Sequence, residues 1–390
     1  MRKTSDIMLV LTKQTDTDYE NYTDKMREEI LARQKRLGVI PRDTKLTPRP
    51  SQLPAWDSLT PDQKTFASRQ MEAYVAFLAH TDDQLGRLVK ELKASGQFDN
   101  TMFIYIVGDN GASAEGQRGS ISELLAQNNI PNTVDQQIAA LNKIGGLDAI
   151  GSHKTDNMYH AGWAWAGNTP LKSTKLVAAH FGGTRSPMAI SWPAKIKPDG
   201  TPRAQFHHVN DIAPTLYELI GIKPPKIVNG YKQDPIDGIS MAYTLSDAQA
   251  NTRKRVQYFE NSGSRGIYKD GWFAAAFGPF VPWDSAGSSA GIATWDSAKD
   301  KWELYNLNDD FSQARDLAVE RLDETACLTA SIPFLPRVLA EARALLGPSI
   351  WPCGLVETFR GIEAFHDFAH TQGLTARRIG LQESFILAGD

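Results

Sequence analysis

Only two cysteines occur in the 390 residues, Cys327 and Cys353, both near the C-terminus. Two thiols cannot build a disulfide framework, so a small stapled scaffold is excluded, and both are read as free. Long apolar runs are also missing. Nothing approaches the ~20 residues that span a bilayer, and the run at residues 7–11 is too short for the core of a secretory leader. These absences point to the cytoplasm, with the periplasm open should a leader belong to the protein. Positive charge is not in excess either: the formal net charge is −3, and Lys and Arg are dispersed. That excludes a nucleic-acid or polybasic membrane surface and requires any bound anion to be held locally.

What the sequence does have is a globular balance, 41% hydrophobic and 22% charged residues, over a length that suits one large domain with a smaller appendage. Residues 1–60 read as a polar lead-in with a helix over 24–37 and an extended Pro-containing stretch at 47–50. At Thr60-Pro61-Asp62 a capped helix opens and runs to Ala94, ended by Ser95-Gly96, with an apolar stripe of Met71, Val75, Leu78, Leu85, Leu88 and Leu92. Residues 101–107 form an almost continuous apolar run, which predicts a strand buried on both faces of a mostly parallel sheet. It ends in Gly108-Asp109-Asn110-Gly111, where open α/β sheets place their ligands. A second strand is expected over 188–193, and a helix from Asp211 to Ile220 stopped by Gly221. The 61–250 region thus forms the main unit. Residues 251–318 alternate short β-rich pieces with turns, predicting a small antiparallel sheet, and 319–390 form a tail with one amphipathic helix over 332–346.

Two loops carry candidate chemistry. Asp109 and Asn110 put a carboxylate and an amide oxygen side by side, hard donors suited to Ca²⁺ or Mg²⁺, although such a tripeptide also serves as a plain turn. The stretch Asn168-Thr169-Pro170-Leu171-Lys172-Ser173-Thr174-Lys175, followed by His180-Phe181-Gly182-Gly183-Thr184-Arg185, sets Lys, His and Arg around a double glycine. Those groups could surround a tetrahedral oxyanion, or be surface cations beside a turn. His207-His208 reads as structural, and the acid pairs Asp82-Asp83 and Asp309-Asp310 as solvated or capping.

Taken in order, these loops, together with Gly162-Trp163-Ala164, Asp211-Ile212-Ala213-Pro214-Thr215 and Trp302-Glu303-Leu304-Tyr305, resemble bacterial type I arylsulfatases over roughly residues 18–318. The resemblance implies an alkaline-phosphatase-like α/β/α sandwich, of which this chain holds the C-terminal part, with a small antiparallel C-terminal sheet. It also implies hydrolysis of sulfate monoesters by a formylglycine made from Cys or Ser, assisted by one Ca²⁺, Mg²⁺ being less suited. By position, Asp109 and Asn110 would be metal ligands and Lys175 would neutralise sulfate or the leaving oxygen. His180 would touch the site or stabilise its turn. The family's nucleophile motif, Cys or Ser-x-Pro or Ala-x-Arg, is absent: Ser191-Trp192-Pro193-Ala194-Lys195 is the nearest approach and has Lys in the last place. The early strand with two adjacent acidic ligands and a His-containing motif are not found either. The expectation is therefore a sulfuric ester hydrolase by descent, N-terminally truncated and inactive alone. The alternatives are a phosphomonoesterase or phosphodiesterase of the same superfamily and a non-catalytic remnant; the oligomeric state stays open.

Overall fold

The computed structural model describes residues 24–128, 130–284 and 291–318. The run at 7–11, both cysteines and the 319–390 tail with its expected helix lie outside them.

Helix α1 (Asp24–Leu37) begins on an acidic residue and ends on Lys35 and Arg36, charges that complement its dipole. The lead-in contributes more to the core than its polarity suggests, because a few large anchors carry it. Trp56 packs with Ala67, Trp163 and Ala166, and Leu53 with Ala114, Ala161, Ala164 and Trp165. Helix α2 (Pro61–Ala94) starts at the expected cap: Gln63 N–H donates to the Thr60 hydroxyl while Thr60 N–H donates to the Gln63 side chain. The buried face differs from the expected stripe. Phe66, Ala67, Gln70, Ala73 and Ala76 are buried, whereas Leu78 and Leu88 are exposed. Small residues let α2 approach its neighbours, so only its N-terminal half is covered.

Strand β1 (Phe103–Ile106) corrects a second expectation. It pairs antiparallel with β2 (Met188–Ser191), Ile104 opposite Ile190, in a two-stranded ribbon, and no described strand runs parallel to it. Consequently Ile106 and Val107 are exposed rather than buried on both faces. Short helices follow β1: α3 (Glu123–Gln127), α4 (Val134–Asn142), the fully apolar α5 (Ala161–Gly167) and α6 (Phe181–Thr184). After β2 comes α7 (Ile212–Ile220), whose Ile212, Leu216 and Leu219 line one narrow cleft with Met102 and with Ile104, Met188 and Ile190 of the ribbon. It ends on Gly221 in the left-handed region, as its sequence predicts. A minor hairpin, β3 (Ile227–Val228) and β4 (Tyr231–Lys232), and helix α8 (Tyr243–Ser246) complete this part.

The small sheet is present as expected: β5 (Val256–Asn261), β6 (Ser264–Lys269), β7 (Trp272–Ala276) and β8 (Trp302–Asn306), all antiparallel and in sequence order. Its inner face shares one core with the cationic loop, since Tyr268, Phe273, Ala275 and Tyr305 pack with Leu171, Val177, Ala179 and Phe181. The sheet is therefore the floor on which that loop rests. No described helix is long and apolar enough to cross a membrane.

Candidate active site

The loop after β1 and the loop between α5 and β2 lie backbone against backbone. Gly111 N–H donates to Gly183 O (3.0 Å), Lys175 N–H to Ala112 O (3.0 Å) and Val107 N–H to Pro187 O (3.1 Å). Asn168 staples them: its Oδ1 accepts from Ala112 N–H, and its amide group donates to Ser173 O and Gly182 O. The glycines are dictated by this contact. A Cβ on Gly111 would lie 1.5 Å from Gly182 O, and one on Gly182 would lie 2.2 Å from Ser173 O. Arg27, fully buried, ties α1 to the same place by donating to Trp165 O, the Thr47 hydroxyl, Pro170 O and Leu171 O, with its guanidinium 4.1 Å above the Trp165 ring. Burial lowers its pKa to about 9, leaving it charged at neutral pH.

The structure thus brings the Asp109-Asn110 turn and the Lys175 loop onto adjoining backbones at one end of β1. Asp109 is exposed and Asn110 half-buried, and among the described residues neither side chain takes a hydrogen bond. Two free oxygen donors fit a hard divalent cation in kind. They form part of a shell only: calcium takes six to eight oxygens, and among the described residues no three His, Cys, Asp or Glu side chains gather to hold an ion. Lys175 extends to the edge of the site, 32% exposed, where its Nζ meets Glu115 Oε2 at 2.6 Å.

His180 is not at the surface of this site. It is 1% exposed; Ser173 Oγ lies 2.8 Å from its Nδ1 and Glu303 Oε2 2.6 Å from its Nε2. Burial holds the imidazole below its usual range, with Glu303 opposing only in part, so the ring is neutral, donates from Nε2 to the carboxylate and accepts from Ser173. Burial alone would raise Glu303, but His180 and Lys172 outweigh it and keep the carboxylate ionised. Lys172 Nζ reaches Glu303 Oε1 at 2.8 Å, and Tyr305 O–H donates to Oε2 at 2.8 Å. Of the two roles open to His180, the geometry matches the brace: it bolts the lysine loop to β8. Arg185 is likewise occupied elsewhere, its guanidinium 3.9 Å from the Phe311 ring centre.

Glu115, Lys172, Ser173 and Glu303 were not singled out from sequence as site residues. Lys172 and Glu303 are 131 positions apart, and no local spacing announces such a pair. His208 and Asp211 form the capping box of the short 3-10 turn Val209–Asp211 that leads into α7, a structural role, and Asp310 accepts from the backbone N–H groups of Ala314 and Arg315 as a turn cap.

Two buried neutral imidazoles make a pH prediction. Burial, reinforced by Arg118, lowers His160 to about 3, and burial lowers His180. On acidification the unfolded rings protonate near pH ~6.5, while the folded rings take up their protons only at lower pH. The unfolded state then binds more protons, so stability falls with falling pH, by up to about 1.4 kcal/mol per pH unit for His160, with His180 acting in the same direction. Urea midpoints are expected to drop from about pH 7.5 to about pH 5; a constant or rising midpoint contradicts the assignment.

Comparison with known proteins places the chain in a family. The sulfatase family profile matches residues 11–222, which include Asp109, Asn110, Lys175 and His180. The chain is 29% identical over 307 residues to an uncharacterized sulfatase of Schizosaccharomyces pombe, covering 77% of this chain and 49% of that protein. It is 32% identical over 237 residues to the arylsulfatase of Klebsiella aerogenes, covering 60% of this chain and 47% of that protein. A solved structure from work on glycosaminoglycan metabolism in Bacteroides thetaiotaomicron aligns over 82% of this chain and 54% of its own, with 16% identity and a TM-score of 0.42. The chain spans about half the length of the curated relatives it matches. With more than half of its residues under the family profile, the chain belongs to the sulfatase family.

Proposed function

We propose that the chain carries the metal-and-lysine side of a sulfuric ester hydrolase site that takes sulfate monoesters, aryl sulfates among them. The observation that carries this is the backbone stitching of the Asp109-Asn110 turn to the Lys175 loop through Gly111–Gly183 and Lys175–Ala112. Family membership supports it, because sulfatases are metal-dependent. Asp109 and Asn110 would hold the ion, calcium before magnesium, since two flexible oxygen donors suit its larger and looser shell. Once bound, it would polarise the sulfate oxygens.

The chain's own residues do the rest. Lys175 supplies a fixed positive charge where negative charge develops on sulfate or the departing oxygen. Asn168 and the double glycine hold that lysine's backbone, and the His180–Glu303–Lys172 brace keeps the loop seated on the C-terminal sheet. The sequence offers no residue in the family's nucleophile motif, so the chain by itself is expected to bind an aryl sulfate without turning it over. The test is titration of 4-nitrophenyl sulfate into the purified chain with calcium, alongside a hydrolysis assay. Saturable binding without release of nitrophenol is the expected result. Turnover that disappears in Lys175→Ala would contradict the expected inactivity, and absence of any binding would contradict the site.

A further inference from the structure

Glu115 stands next to the proposed sulfate-binding lysine without belonging to the metal pair or to the braces. Its Oε2 lies 2.6 Å from Lys175 Nζ and accepts from the Ser113 hydroxyl at 2.8 Å. The same hydroxyl accepts from Glu115 N–H at 3.3 Å. The carboxylate is thereby held by its own turn, and Lys175 is held opposite it by the hydrogen bond from its backbone to Ala112. The pair sits at the edge of the site, the side chains 32% and 20% exposed. Any anion that reaches Lys175 must share the ammonium with this carboxylate.

We propose that Glu115 sets the charge selectivity of the site, reducing its net positive charge so that singly charged sulfate monoesters are taken in preference to doubly charged phosphate monoesters. This rests on the reading of Lys175 as the sulfate-binding cation. Shape cannot separate the two substrates, because both present a tetrahedral oxyanion of similar size. Charge can. A sulfate monoester has one ionisable oxygen and carries one negative charge, whereas a phosphate monoester, with a second pKa near ~6, carries about −1.5 to −2 at neutral pH. An unpaired lysine would favour the dianion. An oxyanion bonded to the same ammonium lies on the order of 5 Å from Glu115, inside the ~8 Å physiological screening length. The carboxylate therefore repels a dianion about twice as strongly as a monoanion. At that separation one extra unit of charge changes binding on the order of fivefold to a hundredfold, depending on the local dielectric.

The experiment measures dissociation constants of 4-nitrophenyl sulfate and 4-nitrophenyl phosphate for the full chain near pH 8 and at low salt, by titration calorimetry. The variants are Glu115→Gln, Glu115→Asp and Lys175→Ala. In Glu115→Gln the phosphate ester is expected to gain about tenfold more affinity than the sulfate ester, a difference that shrinks at about 1 M salt, where the screening length is ~3 Å. Glu115→Asp, which keeps the charge, is expected to retain the preference for sulfate, separating charge from packing. An unchanged sulfate-to-phosphate ratio in Glu115→Gln overturns the proposal, as does loss of preference in both variants. If Lys175→Ala weakens the sulfate ester while Glu115→Gln leaves the ratio alone, only the role of Glu115 fails. If Lys175→Ala leaves sulfate binding intact, the reading of the lysine fails first.

Discussion

Lys175→Ala is expected to weaken aryl sulfate binding by about tenfold to a hundredfold, the range set by loss of one charge-assisted contact at a partly exposed site. Two effects add here. The substitution removes the cation that meets the oxyanion, and it leaves the Glu115 carboxylate without its ion-pair partner, facing the incoming negative charge. The double variant Lys175→Ala/Glu115→Ala is accordingly expected to bind better than Lys175→Ala alone. Lys175→Arg keeps the charge on a longer, planar head and is expected to lose about tenfold or less. Calorimetry on the three variants checks the order; equal losses in the single and double alanine variants would show that the carboxylate does not act on the ligand.

The second large effect concerns stability. Asp211 is fully buried, and its Oδ1 accepts from Lys254 Nζ (2.8 Å) and Ile239 N–H (2.8 Å), its Oδ2 from His208 N–H (2.9 Å). Burial by itself would raise this carboxylate, but His207, Lys254 and the two backbone donors outweigh it and hold it below the usual range. Lys254, 3% exposed, has Asn210 Oδ1 as its other partner at 3.0 Å. Asp211→Ala would strand that ammonium in the interior, and the expected loss is about 3–5 kcal/mol in urea unfolding. Replacing both members, Asp211→Leu with Lys254→Met, is expected to cost clearly less than the sum of the two single changes, because no unpaired charge remains. Strict additivity would mean that the pair is not coupled.

Asp211 also shows what a sequence can and cannot announce. The start of a helix at Asp211 and its stop at Gly221 were legible, as were the Thr60 cap and the β-rich pieces that became β5–β8, because caps, turns and alternation are local signals. The order of the motifs pointed to Asp109, Asn110 and Lys175, which the fold sets on adjoining backbones. By contrast, the partner of Asp211 is 43 residues away at Lys254, and that of the loop residue Lys172 is Glu303 on β8. Such pairings exist only after the chain has closed on itself. The apolar run at 101–107 misled for a related reason: composition reports how hydrophobic a strand is, not which strands flank it, and here its described neighbour is the antiparallel β2. The role of His180 stayed open between touching the site and stabilising its turn, because its place beside the double glycine is visible in sequence while its burial against Ser173 and Glu303 is not.

The central claim is that the Asp109-Asn110 turn and Lys175 serve one ligand through one ion. Its most direct measurement is the calcium dependence of 4-nitrophenyl sulfate affinity, compared between the unaltered chain and Asp109→Ala. Calcium is predicted to tighten binding in the unaltered chain and to have no effect once Asp109 is gone. An affinity in the unaltered chain that does not change when calcium is chelated would contradict the account.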